Sequence, residues 1–170
     1  MIAMFSKLNS KINTSLGLVR DGLFSRHYVL KDGTATYGEM SFHTPWVVFV
    51  ETAESKLTMA PAGLFSRTIN ILDIGDQIIG TAHRPWLSRK VNLTLQTGFK
   101  AIFYRRNLFS RTYVWEADGI GEVLEISSSI FSWTDNITVQ NTMAPQSVIP
   151  TLIFLGRFLI TLRRRKRAAH

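Results

Sequence analysis

The chain has 170 residues but no cysteine, five prolines and only twelve acidic residues. Without cysteine it cannot form disulfides, thiolate zinc sites or a cysteine nucleophile, and a small secreted scaffold is excluded. The N-terminus is rich in Ser and Lys and weakly resembles an organellar transit peptide, but it has no apolar run long enough for a signal-peptide core. We therefore expect one domain that is not secreted and is cytoplasmic or peripheral to a membrane.

The motifs that usually identify an active site or a metal site are also missing. No HExxH, GxSxG, phosphate-binding loop or GxGxxG occurs. His43 and His83 lie in the similar contexts FHTPW and AHRPW, which indicates a structural role, and Asp32, Asp73 and Asp118 fall where turns are expected. The sequence predicts a protein that is not an enzyme and that holds no cofactor or metal.

Positive charge is concentrated near the C-terminus. The formal net charge is +8, and the run RRRKR at 163–167 contributes five basic residues. Because this run follows an apolar segment, it favours an anionic phospholipid surface or a membrane-protein partner over nucleic acid. The predicted headgroup contacts are Arg163, Arg164, Arg165, Lys166 and Arg167.

A four-residue phrase, LFSR, occurs three times at nearly equal spacing, at 23–26, 64–67 and 108–111. Further matches follow in the same order, with PW at 45–46 and 85–86, Trp133 near the corresponding place, and TMAP at 58–61 and 142–145. Self-similarity at a fixed period indicates an internal duplication. We therefore predict three repeat units at 23–63, 64–107 and 108–147.

Each unit has the pattern of β-strands. After LFSR, apolar residues alternate with others at period two, as in Tyr28 and Leu30, Ile69 and Ile71, or Tyr113 and Trp115. Asp-Gly pairs at 32–33 and 118–119, and Gly-Asp at 75–76, supply residues that tolerate the left-handed conformation of tight hairpins. With about four strands in each unit, about twelve strands are predicted over 21–147. The arm at 1–20 and the C-terminal segment are the candidates for helix.

The repeated phrase itself has two interpretations. In the favoured one, its Leu and Phe pack in the core, while its Ser and Arg lie at the rim with their polar ends in water. In the alternative, Arg26, Arg67 and Arg111 converge on one end and bind an anion together.

The segment 148–162 is apolar on nearly every side of a helix, and a basic tail at 163–170 follows it. A helix that is apolar all round must be buried in protein or in lipid. About 20 apolar residues are needed to span a bilayer, and this stretch is shorter and contains Arg157. We therefore expect the helix inside a closed barrel, with a partner or an exit to water for Arg157 and with the basic tail at the barrel mouth.

This combination resembles the tubby-like superfamily, which includes the LURP-one-related proteins and phospholipid scramblases. The stretches that carry the resemblance are INILDIGDQIIGT (69–81), TYVWEADGIGEVLEI (112–126) and IPTLIFLGRFLITL (149–162). The resemblance implies a closed, twelve-stranded antiparallel barrel around an apolar C-terminal helix, and binding to membrane lipid. The alternative fold is a β-trefoil with an appended helix, since a trefoil also has three four-stranded units.

A second basic region combines cations with aromatic side chains in the middle unit. Its members are Arg84, Trp86, Arg89, Lys90, Tyr104, Arg105 and Arg106. Such a patch can bind headgroups or nucleic acid, or it can be a solvated surface.

Three functions are compatible with these patterns. The favoured one is a non-enzymatic scaffold or binding protein of tubby-like type, associated with lipid or membrane through its basic tail. The second is an accessory subunit of a membrane complex that is anchored by the C-terminal helix. The third is a trefoil module that binds a sugar or a protein.

Overall fold

The structure is a computed structural model that describes residues 4–11, 14–22, 25–129, 131–140 and 143–169. It contains twelve strands and one helix: β1 (Ser15–Arg20), β2 (His27–Lys31), β3 (Thr36–Thr44), β4 (Val47–Thr52), β5 (Lys56–Pro61), β6 (Thr68–Leu72), β7 (Ile78–His83), β8 (Val91–Leu95), β9 (Lys100–Arg105), β10 (Thr112–Ala117), β11 (Gly121–Ser127), β12 (Thr134–Val139) and α1 (Val148–Ala168). Every strand pairs antiparallel with its sequence neighbours, and β1 pairs with β12. This single closed barrel confirms the predicted fold class, and the β-trefoil alternative was wrong.

The helix α1 fills the barrel. A twelve-stranded barrel is too wide for strand side chains alone to fill its interior, so an additional apolar element is needed there. The segment from Leu152 to Ile160 is buried throughout, and the Trp115 indole N–H donates a 2.7 Å hydrogen bond to the Leu152 carbonyl. The helix continues to Ala168, past the predicted end at Leu162, so the basic run forms its last turns.

Arg157 finds its partner on the barrel wall. Its Nη1 atom donates to Asp135 Oδ2 at 2.9 Å and to Ser128 Oγ at 3.0 Å, and its guanidinium lies 4.9 Å from the centre of the Tyr28 ring. Both Arg157 and Asp135 are buried. Of the two predicted alternatives, a partner or an exit to water, Arg157 has the partner.

The predicted N-terminal arm is partly a barrel strand. The third repeat unit supplies three strands, β10 to β12, and β1 takes the place of its fourth by pairing with β12. The sequence SLGLVRDGLFSR at 15–26 is thus equivalent to KLTMAPAGLFSR at 56–67, with a strand before each LFSR. The second TMAP is not a strand, because Ala144 and Pro145 belong to the connection between β12 and α1, and Thr142 lies outside the described residues.

The hairpin turns use the predicted residues in two ways. Gly119 and Asp76 adopt left-handed backbone conformations, with φ of 73° and 59°. Gly33 does not, and the prediction for that residue was wrong. There the Asp32 carboxylate holds the turn by accepting hydrogen bonds from the backbone N–H groups of Thr34 and Ala35.

The up-and-down order of the strands gives the barrel two distinct ends. The six connections from odd to even strands lie at one end, which we call the basic end; their described residues are 21–22, 25–26, 45–46, 62–67, 84–90, 106–111, 128–129 and 131–133. The connections 32–35, 53–55, 73–77, 96–99 and 118–120 lie at the other, the acidic end. The helix enters at the acidic end and emerges at the basic end, where Arg164 bonds Ser128 and Arg165 bonds the Pro45 carbonyl. Within the described part of the chain, no helix is long and apolar enough to cross a membrane.

Candidate functional site

Charge is divided sharply between the two ends of the barrel. The described connections at the basic end carry one acidic residue, Asp21, and seven basic ones: Arg26, Arg67, Arg84, Arg89, Lys90, Arg106 and Arg111. The described connections at the acidic end carry no Lys or Arg and five acidic residues: Asp32, Glu54, Asp73, Asp76 and Asp118. Lysines beside the acidic end, Lys7, Lys31, Lys56 and Lys100, largely offset its acids, and Lys7 pairs with Glu54 at 2.7 Å. Because the helix adds further cations at the basic end, the charge asymmetry along the barrel axis comes from the excess of positive charge at that end.

The Leu and Phe of the LFSR repeat are exposed, so their predicted place in the core was wrong. Leu64 and Phe65 are each 98% exposed, and Phe109 is 93% exposed. Leu23 and Phe24 of the first copy lie outside the described residues. The physical reason is that the phrase occupies the connection before an even strand, beyond the end of the barrel wall, and α1 already fills the interior.

The Ser of the repeat has a backbone role that recurs in all three copies. Its Oγ accepts a 3.0 Å hydrogen bond from the backbone N–H two residues later, in Ser25, Ser66 and Ser110 alike. Short local bonds of this kind stabilise turns. In its second and third copies the repeat is therefore a hydrogen-bonded turn that presents two apolar side chains to solvent.

Further exposed apolar side chains lie in the other connections of the basic end: Trp46, Trp86, Leu87, Phe131 and Trp133. Cations stack on two of them, since Arg67 lies 4.0 Å from the centre of the Trp86 ring and Arg111 lies 5.8 Å from that of Phe131. Arginine and aromatic rings attract each other in this geometry. Arg67 and Arg111 each pair with an aromatic of a neighbouring connection, which differs from the predicted convergence of the repeat arginines on a single anion.

The predicted tail contacts divide into two groups. Arg163, Arg164 and Arg165 fold back on the barrel, where they donate to the Arg89 carbonyl, to Ser128 and to the Pro45 carbonyl. Lys166 and Arg167 are exposed. Burial is the first cause that lowers the pKa of Arg163, followed by nearby cations. The tail is thus the last part of α1: its first three arginines contact the barrel mouth, and its last two basic residues are exposed to solvent.

The seven residues of the predicted aromatic-basic patch do not form one surface. Arg84 and Trp86 lie beside Arg67 at the barrel mouth. Lys90 lies 5.3 Å from the centre of the Tyr104 ring. Burial, and then the hydrogen bond that the Tyr104 hydroxyl donates to Glu116, raise the pKa of Tyr104 to about 12.

Two more members of that patch are held by the protein itself, whereas the Arg89 side chain is exposed. Arg105 donates to the Ser110 carbonyl, and Arg106 forms ion pairs with Glu122 and Glu125. The Arg89 carbonyl accepts from Arg163. Arg106 is thereby neutralised and drops out of the set of cations that a ligand could use.

A pocket of about 710 Å³ opens at the barrel mouth between the second LFSR turn and the last turns of α1. Its walls include the apolar side chains of Ile69, Leu159 and Leu162. Four basic residues also line it: Arg67, Arg84, Arg163 and Lys166. These cations share one pocket, and although Lys166 is exposed overall, partial desolvation lowers its pKa, followed by the charges of Arg84 and Arg67. The sequence analysis did not find this pocket.

No carboxylate forms an ion pair with these four cations among the described residues, which include all twelve acidic side chains. The described residues also contain no group of three His, Asp or Glu that could hold a metal ion. His83 contacts Thr68 Oγ1 at 2.8 Å. The chemistry of the pocket is therefore that of unpaired cations beside an apolar wall.

Comparison with known proteins adds no assignment. A scan against protein-family models found no match, and searches of curated proteins and of solved structures found none either. The function must therefore be argued from the geometry of the basic end.

Proposed function

We propose that the protein is a non-enzymatic, peripheral membrane protein that binds anionic phospholipid through the basic end of the barrel. The observation that carries this proposal is the coincidence of two features at one end. Exposed Leu, Phe and Trp side chains ring the barrel mouth, and basic residues lie among them with one acid nearby. Apolar tips among cations are the surface chemistry that an anionic lipid interface selects.

Two energetic terms support the proposal. Each Lys or Arg near an anionic leaflet contributes about 1 kcal/mol, and this term falls off within a Debye length. Insertion of an exposed apolar side chain such as Phe65 adds roughly 25 cal/mol for each Å² that leaves water. Several such contributions acting together suffice for reversible binding, as with two-signal anchoring by lipidated proteins.

The charge asymmetry also orients the molecule. The basic end is attracted to anionic headgroups, whereas the acids and lysines at the acidic end largely offset each other and give no comparable attraction. The helix does not act as an anchor in this arrangement, because it is buried inside the barrel. The tubby-like resemblance points to the same class of function.

The test is binding to sedimented vesicles of phosphatidylcholine with and without phosphatidylserine. We expect the wild-type protein to bind the anionic vesicles, and binding to weaken as salt increases. The double variant Phe65→Ser with Phe109→Ser should bind at least fivefold more weakly, since it removes apolar tips without changing charge.

The matched control for apolar tips is Ile74→Ser, because Ile74 is 82% exposed but lies at the acidic end. For charge, Arg111→Gln should weaken binding, whereas Lys100→Gln at the acidic end of β9 should not. Binding that ignores phosphatidylserine, or that falls equally in the variants of both ends, would refute the proposal.

A further inference from the structure

We propose that the pocket beside the second LFSR turn binds one single-chain lipid with a phosphate monoester headgroup, the chain against the apolar wall and the phosphate on Arg67, Arg84 and Lys166. This inference deepens the proposed function by naming the lipid that the basic end selects, and it concerns a monomeric ligand rather than a bilayer surface. The pocket's volume of about 710 Å³ lies within the usual range of ligand pockets, roughly 300–1,000 Å³.

The pocket exists where the second repeat unit departs from the other two. The backbone N–H groups of Phe42, Arg84 and Ser128 bond the carbonyls of Arg26, Arg67 and Arg111. This common register makes Ile69 equivalent to two large aromatic residues, Tyr28 and Tyr113.

The same register makes Ala82 equivalent to Met40 and Ile126. Ala82 pairs with Ile69 across its hairpin, as Met40 pairs with Tyr28 and Ile126 with Tyr113. At the two equivalent sites the large side chains fill the barrel mouth. Tyr113 stacks on Phe103 with ring centres 5.5 Å apart, and Tyr28 packs edge-on against Phe42 at 6.3 Å. The middle unit has smaller residues at both places, so a cavity remains.

The middle unit also adds charge at this cavity. Arg84 takes the position held by Phe42 and Ser128 in the other units, and it lines the pocket together with Arg67 and Lys166. Arg67 is already oriented by its stacking on Trp86. Two guanidinium groups and an ammonium without a carboxylate suit a dianionic phosphate monoester better than a single carboxylate, since three positive charges exceed what one carboxylate neutralises and a phosphate offers three oxygens to these donors.

The apolar wall accounts for the acyl chain. Trp46, Leu64 and Phe65 line the pocket with side chains that are exposed to water, and the buried Val91 and Leu159 close its floor. A free phosphate would use the cations alone and leave this wall in water, whereas a chain covers it. The two halves of the pocket therefore select an amphiphile rather than a simple anion.

The experiment is calorimetric titration of the full chain with monomeric lysophosphatidate. Two probes each remove one half of the ligand: lysophosphatidylcholine with the same chain carries a zwitterionic head, and inorganic phosphate has no chain. We expect saturable one-to-one binding of lysophosphatidate, with both probes at least tenfold weaker. Equal affinity for lysophosphatidylcholine or for inorganic phosphate would contradict the proposal.

Two sets of variants locate the site. Arg84→Gln with Lys166→Gln should lose at least tenfold in affinity, whereas Arg89→Gln with Arg167→Gln removes the same charge from the same end and should lose less than threefold. Ile69→Tyr with Ala82→Ile introduces the residues of the third unit and should fill the pocket, abolishing lysophosphatidate binding.

The proposal for the pocket and the proposal for membrane binding can be refuted independently. The filled variant keeps every exposed tip and cation, so it should still bind anionic vesicles as the wild type does. Absence of saturable lysophosphatidate binding in a protein that binds vesicles would refute the pocket alone. Equal losses in the two charge variants would also refute it, and that comparison stands even where the filled variant fails to fold.

Discussion

Arg157 shows how a single residue joins the helix to the barrel wall. Its ion pair with Asp135 is buried, and Ser128 accepts a second hydrogen bond from the same Nη1 atom. Buried ion pairs contribute little net stability relative to apolar packing, but removing one partner leaves an uncompensated buried charge. The pair therefore fixes the position of α1 more than it adds stability.

We predict that Arg157→Met destabilises the protein by about 3–5 kcal/mol because Asp135 then remains buried without its partner. Urea unfolding followed by circular dichroism measures the change. The double variant Arg157→Met with Asp135→Asn should recover much of the loss, since no charge is then buried. A single variant as stable as the wild type would show that Asp135 reaches water.

The sequence predicted the location of some residues of the LFSR repeat but not of others. Its importance was evident from the threefold recurrence, and the place of its Arg at the rim follows from the polar end of a long side chain. The exposure of Leu64 and Phe65 was not foreseen, because apolar residues are usually assigned to a core. Only the position of the phrase between strands, with the barrel already filled by α1, decides that they are exposed.

At the scale of elements, Gly156 governs how closely α1 approaches the barrel wall. A Cβ atom added there would lie 2.4 Å from Ile126 Cδ1 and 3.0 Å from Trp115 Nε1. Both side chains are fully buried, so neither has open space into which to move. A helix glycine that weakens an isolated helix is here required by packing.

We predict that Gly156→Ala lowers stability even though it improves helix propensity. Overpacking costs about 1–3 kcal/mol and the propensity gain is about 1 kcal/mol, so the net loss should reach up to about 2 kcal/mol. Thermal unfolding of Gly156→Ala beside Gly33→Ala tests this, because a Cβ at Gly33 meets nothing within 4 Å. A variant more stable than the wild type would mean that α1 can shift inside the barrel.

The strand β1 is the element that pattern alone misplaced. Its sequence reads as a strand only when SLGLVR is aligned with KLTMAP and KAIFYR, the strands that precede the other two LFSR phrases. A repeat unit begun at LFSR hides this equivalence. Closure of the barrel through β1 and β12 reveals it, because the ends of the chain complete the third unit together.

At the scale of the whole molecule, the barrel and its helix form one hydrophobic core. Strand residues such as Leu30, Met59 and Phe103 are fully buried, and so is the central part of α1. Neither part covers its apolar surface alone, so we expect folding to be cooperative across both.

We predict that deleting 148–170 abolishes cooperative thermal unfolding, because it exposes the apolar interior of the barrel to water. Near-ultraviolet circular dichroism and a thermal melt measure the loss. Deleting 168–170 should leave both signals intact, since these residues follow the contacts of Arg163 to Arg165. A folded barrel after the larger deletion would instead favour a helix that is free to anchor in a membrane complex.

Much of this protein was determined by the sequence itself. The threefold repeat, the period-two strands and the apolar segment before RRRKR predicted about twelve strands and a buried helix, because local patterns of hydrophobicity dictate which surfaces must be buried. The choice of a closed barrel over a trefoil came from the resemblance to the tubby-like superfamily. Only the tertiary structure decided which residues come together to form the candidate site. Closure brings 62–67, 84–90 and the end of α1 to one mouth. The pocket exists because Ile69 and Ala82 are smaller than the residues at the equivalent positions of the other two units. Those equivalent positions lie far apart in the chain, and only the strand register of the barrel identifies them.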